Sequence, residues 1–197
     1  MKGNRMATIL EIRDFLLHGK RERQSRDDRR QVYGRFGEVV VEAWLRERRH
    51  LEVQAIPQTP GTRREILNGD GKRPNFLVGV PGDGSEPDLV LIDAKFHTIA
   101  EDDTFWIGDP EMRRYDSAVS ELQAEWLFFA VVNARDPQTL HFVDRRDMSP
   151  AIGNARWVYT LGSKPGWSET LTAEELHRAA EQVAREGFDV SLLPALP

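Results

Sequence analysis

Residues 72–95 read KRPNFLVGVPGDGSEPDLVLIDAK, and this stretch decides how the rest of the chain is arranged. Two apolar, β-prone runs, Phe76–Val80 and residues 89–92, flank the turn-forming cluster PGDGSEP, so the stretch predicts an antiparallel hairpin. Its second strand ends in Asp93-Ala94-Lys95. Side chains alternate along a strand, which places Asp93 and Lys95 on one face. A turn centred near Gly84 brings Arg73-Pro74-Asn75 back beside Asp93. A carboxylate, a lysine and a third polar group then meet at one end of the hairpin.

The composition sets wide bounds around that hairpin. A chain of 197 residues with 40% hydrophobic and 30% charged residues is one domain with room for a substantial core. No apolar run approaches a membrane span, and the longest, residues 126–132, has the length of a strand. The first residues carry no signal-peptide core, so a cytoplasmic protein is expected. The absence of cysteine excludes disulfides and zinc ribbons. No histidine pair has zinc-ligand spacing, and there is no phosphate-binding P-loop or dinucleotide fingerprint. A net charge of −5 argues against a generic nucleic-acid coat but permits local basic patches. Lys20, Arg21, Arg23 and Arg26, then Arg29 and Arg30, Arg63 and Arg64, and Lys72 and Arg73 form such patches; each also fits an ordinary solvated surface.

Upstream of the hairpin, residues 8–17 predict a short helix ending at Gly19, followed by a basic connector over 20–24. Ser25 and Asp28 look like the start of a second helix, whose rhythm (Val32, Phe36, Val39, Val40, Ala43, Trp44) runs to about Arg49. Residues 51–56 predict a strand, and 57–71, with two prolines and three glycines, a long loop. Downstream, 96–108 reads as irregular, and Asp109-Pro110-Glu111 as a helix start. Trp126–Asn133 reads as a strand buried on both faces. Asp136-Pro137 reads as a turn, with further strands over 139–143 and 155–161. Thr172 and Glu175 cap a last helix to Arg185, stopped by Gly187. The tail SLLPALP has no usable periodicity. The sum is an α/β (α+β) protein with a mixed sheet flanked by helices.

Asp93 and Lys95, two apart on a strand, suit phosphodiester hydrolysis. That reaction needs an activated water and stabilisation of phosphate charge. Mg²⁺ held by carboxylates and a backbone carbonyl, here that of Ala94, supplies both. A lone Asp-x-Lys is equally an ordinary charged strand end. Asp88, five residues before Asp93, lies about 17 Å away along an unbroken strand and on the opposite face, so it reads as the turn exit.

The company of other motifs separates these readings. RPNF…LVLIDAKF resembles the PD-(D/E)xK nuclease superfamily. A hairpin leading to DAK and an aromatic is similar to nuclease subunits of McrBC-type modification-dependent restriction systems. In those a Q/E-M-x-x-Y-like helix follows, matched here by Glu111-Met112-Arg113-Arg114-Tyr115. GRFGEVVVEAWL resembles the GxxxE helix of archaeal Holliday-junction resolvases, with Glu38 as its acid. The resemblance spans roughly residues 34–144. It implies a restriction-endonuclease-like core over 31–161, preceded by the helix and connector of 1–30 and followed by a helix and tail over 162–197.

What the resemblance implies for function is a Mg²⁺-dependent endonuclease, with Mn²⁺ able to substitute, acting on DNA in antiviral defence, restriction or foreign-DNA processing. Asp93, Asn75, Glu38 and the Ala94 carbonyl would hold the metal, and Lys95 would be the water-orienting base. Glu42, one turn after Glu38, is an equally placed rival for the helix acid. Glu111 and Tyr115 would line the site or touch DNA, and Arg63, Arg64, Lys72 and Arg73 would grip its backbone. A homodimer, or a motor or recognition subunit, would be the protein partner. Asn75 stands where the family has aspartate. A nearby acid such as Asp70 could substitute, the chain could bind without cutting, or Asn75 could be a deliberate change; the catalytically impaired DNA-binding or subunit-interaction module is the alternative reading.

Overall fold

The computed structural model describes residues 9–56, 74–82, 86–97, 99, 101–164 and 167–197, with side chains of the first helix from Arg26 onward. Helix α1 (Ile9–Glu47) leads into strand β1 (Glu52–Ala55) and the hairpin β2 (Phe76–Val80) and β3 (Asp88–His97). Next come β4 (Thr104–Gly108), α2 (Asp109–Glu121), β5 (Trp126–Asn133) and β6 (Asp136–Asp144). The short strands β7 (Ser149–Pro150), β8 (Arg156–Thr160) and β9 (Ser168–Thr170) precede α3 (Ala173–Arg185).

The hairpin has the expected register. Val80 pairs with Asp88 and Phe76 with Ile92, which centres the turn on position 84, outside the described residues. A six-stranded sheet runs in the order β1-β2-β3-β5-β6-β9. All neighbours are antiparallel except β3 and β5, which are parallel and joined through β4 and α2. Parallel neighbours require such a crossover. The sheet is mixed and flanked by helices, as the sequence implies.

Alternation along β3 divides the interior in two. Val90, Ile92 and Phe96 face a core shared with Val32, Phe36, Val40 and Leu45 of α1 and Leu176, Ala179 and Val183 of α3. Leu91 faces a second core with Met112, Tyr115 and Ala118 of α2 and Phe129 and Val131 of β5. Asp93 and Lys95 share the parity of Leu91 and so lie on the α2 side. Helix α1 presses close to β3 at Gly37, where a Cβ would come 3.1 Å from Phe96 Cβ and 3.2 Å from Phe96 N. Phe96 is gripped there edge-on by Tyr33 and Phe36, each at 4.9 Å between ring centres.

Several local expectations need correcting. Gly19 does not end a helix, and 20–24 is not a connector: α1 is continuous over 39 residues. Glycine inside a helix costs about 1 kcal/mol, a local penalty, while the Lys, Arg, Glu and Gln of 20–24 are good helix formers. Ser25 lies inside the helix rather than starting one. The supposedly irregular 96–108 contains the end of β3 and all of β4, which forms a second sheet in the order β4-β8-β7. The turn before β6 falls at Ala134-Arg135, and Asp136 already belongs to the strand. Leu192, Leu193 and Leu196 of the tail pack against the first core. The loop of 57–71 lies outside the described residues, apart from which β1, the hairpin, β5 and α3 stand where the sequence puts them.

Candidate active site

Four elements converge at the end of the hairpin around a cleft of about 780 Å³. Its lining includes Glu38, Asn75, Asp93, Ala94, Lys95 and Glu111. The site acids and lysine that the sequence singles out therefore meet, each brought by a different local cause. Strand alternation pairs Asp93 with Lys95, the hairpin register returns Asn75, and the Gly37 contact sets Glu38 against β3.

Asp93 is only 2% exposed. Its Oδ2 lies 2.8 Å from Lys95 Nζ, an ion pair, but off the direction of a hydrogen bond, so that buried oxygen has no hydrogen-bond donor. Lys95 is itself nearly enclosed. Its ammonium donates to Tyr115 Oη at 2.9 Å and to Glu111 Oε1 at 3.2 Å, and the Tyr115 hydroxyl donates to Glu111 Oε1 at 3.3 Å. Burial pulls the Lys95 pKa down, but the charges of Asp93 and Glu111 outweigh it, and the value stands above that of an ordinary lysine. In these surroundings the two carboxylates hold Lys95 as a cation. Burial, followed by the charges of the same two acids, pushes Tyr115 well above its usual value, so the phenol keeps its proton.

Tyr115 is fully buried. It meets the site from beneath, through its hydrogen bond with Lys95, and presents no surface of its own to a DNA backbone. Arg63, Arg64, Lys72, Arg73 and Asp70 lie outside the described residues. The basic groups that do line the cleft are Arg26, Arg29 and Arg30, one and two turns before Tyr33 on α1. Their spacing of three and four residues from one another and from Tyr33 and Gly34, which also line the cleft, was the signal that could have joined them to the site.

Asn75 has a definite orientation. Its Oδ1 accepts from Ala94 N at 2.8 Å, so its Nδ2 faces and donates to Glu38 Oε1 at 2.9 Å. Glu38 Oε2 accepts from Arg35 Nη1 at 3.0 Å. Arg35 in turn forks onto Glu186, just beyond α3, with Nη2 donating to Oε1 at 2.8 Å and Nε to Oε2 at 2.5 Å. The Glu38 pKa is raised, chiefly by burial and further by the charge of Asp93, against the lowering effect of Arg35 and Asn75. Glu42 pairs with Arg46 at 2.8 Å, so Glu38 is the helix acid that reaches the hairpin. Asp88 is exposed at the start of β3, apart from the site, and His97 lines the cleft.

The donor set suits a divalent cation only in part. Among the described residues no three Asp, Glu, His or Cys side chains cluster at metal-binding spacing. The buried Oδ2 of Asp93 is a hard oxygen donor of the kind a divalent cation takes, although it is already ion-paired with Lys95. Asn75 does not fit as it stands, because its oxygen serves Ala94 and its NH₂ is turned toward Glu38, a would-be ligand.

No protein-family model matches the chain, and no curated protein matches it. Among solved structures it is similar to Hjc, a Holliday junction resolvase of the archaeal hyperthermophile Archaeoglobus fulgidus, at 10% sequence identity and a TM-score of 0.38, over 61% of this chain and 83% of that one. No helix among the described residues is long and apolar enough to cross a membrane.

Proposed function

We propose that the chain is a nuclease-fold protein that acts on DNA, hydrolysing phosphodiester bonds with the help of a divalent cation. The observation that carries this reading is the meeting of Glu38, Asp93 and Lys95 in one cleft whose rim bears Arg26, Arg29 and Arg30. Rim arginines hold phosphates without reading sequence. Asp93, Glu38 and the Ala94 carbonyl are the groups that would hold Mg²⁺ or Mn²⁺, which when bound supplies an activated water and a counter-charge for the phosphate. Lys95 offsets phosphate charge beside that position, and Tyr115 and Glu111 hold its ammonium there. A role in defence or foreign-DNA processing, a cytoplasmic setting, and a second copy or a motor subunit as partner belong to the same proposal.

The test is plasmid nicking and linearisation in Mg²⁺ or Mn²⁺ by the wild type, Lys95→Ala and Asn75→Asp. Cleavage that Lys95→Ala abolishes supports the reading, and undiminished cleavage by that variant sinks it. Removing the partner of a buried carboxylate costs about 3–5 kcal/mol, so the folding of Lys95→Ala must be checked by circular dichroism. A second reading is a protein that binds DNA without cutting. The hydrogen bond from Asn75 to Glu38 favours it, because the amide already donates to the Glu38 oxygen that a cation would otherwise take. Metal-independent DNA binding by an inert wild type, with activity appearing only in Asn75→Asp, is the result that selects it.

A further inference from the structure

Strand β4 carries a tryptophan that neither core uses. Phe105 and Ile107 point into the second core, and by strand alternation Trp106 points the other way. It is 49% exposed, an unusual position for the largest apolar side chain. Trp106 also lines the candidate active-site cleft together with Lys95 and Arg29.

The ring is held in place rather than merely left outside. Trp106 lies opposite Val158 in the β4–β8 pairing, and Arg156, two residues earlier on the same face of β8, places its guanidinium 4.0 Å from the ring centre. Arg156 thus occupies one face of an indole that has two. The small sheet is anchored in turn to the start of α2, where Trp157 Nε1 donates to Asp109 Oδ1 at 3.1 Å. A flat, braced aromatic surface therefore stands at the mouth of a cleft whose other wall is cationic.

We infer that Trp106, braced by Arg156, is a stacking platform for an unpaired base of the DNA strand lying in the cleft. The inference rests on the DNA-acting reading above and adds a substrate class: duplex interrupted by unpaired nucleotides, such as a bulge, a flap or a gap. In a fully paired helix the base faces are already stacked on one another and closed to an indole. An unpaired base has a free face, every base offers one, and the cationic wall holds the flanking phosphates. The chemistry selects structure and not sequence.

The experiment measures binding of the full chain, in EDTA at one fixed salt concentration, to two labelled DNAs by fluorescence anisotropy. One is a fully paired duplex, and the other is the same duplex interrupted by a short unpaired run. The wild type is expected to prefer the interrupted DNA about tenfold, the effect of one stacked base. Trp106→Ala brings that ratio to about one, and Trp106→Phe, which keeps a flat ring, retains most of it. Equal affinity of the wild type for both DNAs, or an undiminished preference in Trp106→Ala, overturns the platform; a tryptophan that docks a protein instead gives the first of these results. Binding of neither DNA overturns the DNA-acting reading itself, so the two failures are distinct.

Discussion

Replacing Asn75 by aspartate tests the site through its electrostatics alone. The side chain keeps its shape, and Oδ1 can still accept from Ala94 N, but the group facing Glu38 Oε1 at 2.9 Å changes from a donor to a charged oxygen. At an effective dielectric near 20, two unit charges at that separation repel by about 6 kcal/mol. The pair avoids part of that by sharing a proton. Holding one carboxyl protonated at pH 7 costs about 3–4 kcal/mol relative to its ordinary pKa, which sets the ceiling. For a chain of this size that corresponds to a fall in Tm of roughly 7–15 °C. The sign with pH follows from a folded-state pKa raised above the unfolded one. The penalty is absent below the unfolded carboxyl pKa and grows as pH rises toward the folded value. The assay is thermal unfolding of wild type and Asn75→Asp in EDTA from pH 4 to 8, repeated with Mg²⁺. The variant is expected to match the wild type near pH 4, to melt well below it at pH 7, and to recover with Mg²⁺ far more than the wild type gains. A variant within about 2 °C of the wild type at pH 7 in EDTA, a difference under 1 kcal/mol, would refute the reasoning.

Three other substitutions probe the scaffold. Gly37→Ala places a methyl 3.2 Å from the backbone nitrogen of Phe96, which cannot yield without moving β3. The overpacking cost of about 1–3 kcal/mol exceeds the gain of about 1 kcal/mol in helix propensity, so a lower denaturant midpoint is expected. Tyr115→Phe removes the hydroxyl that accepts from Lys95 and donates to Glu111. A loss of about 1–2 kcal/mol in urea unfolding is expected, and no loss would mean that Lys95 is held by its carboxylates alone. Glu186 has its pKa lowered to about 2, chiefly by its hydrogen bonds with Arg35. The stability it contributes is present above the unfolded glutamate pKa and is lost as pH falls toward 2, so Glu186→Gln should flatten the acid limb of the wild-type stability curve.

The hairpin was legible because its signals are local. A turn cluster bounded by two β-prone runs fixes its own register, and alternation then fixes that Asp93 and Lys95 share a face. The capping pair at the last helix is equally local: Thr172 and Glu175 form the reciprocal hydrogen bonds their spacing implies. What failed depends on competition between weak preferences or on distant partners. Gly19 and Ser25 each signal a boundary, but the intervening residues favour a helix and the chain runs through both. Strand β4 was hidden by the acidic residues before it, although Phe105, Trp106 and Ile107 alternate buried, exposed, buried in the way a strand should. Glu38 and Glu42 are indistinguishable by spacing, and only the tertiary contact with Asn75 separates them. The orientation of the Asn75 amide is set by a backbone N–H on another strand, which no local pattern can announce.

The Arg35 fork has a consequence for the order in which the molecule is completed. Glu38 is steadied by Arg35, and Arg35 is steadied by Glu186, 151 positions later in the chain. A chain leaving the ribosome can form α1 and the hairpin long before that carboxylate exists. During that interval Arg35 has no fork to close on, and its hold on Glu38 lacks the brace that Glu186 later supplies. The cleft therefore reaches its final geometry only after Glu186 has been made and α3 has docked against α1.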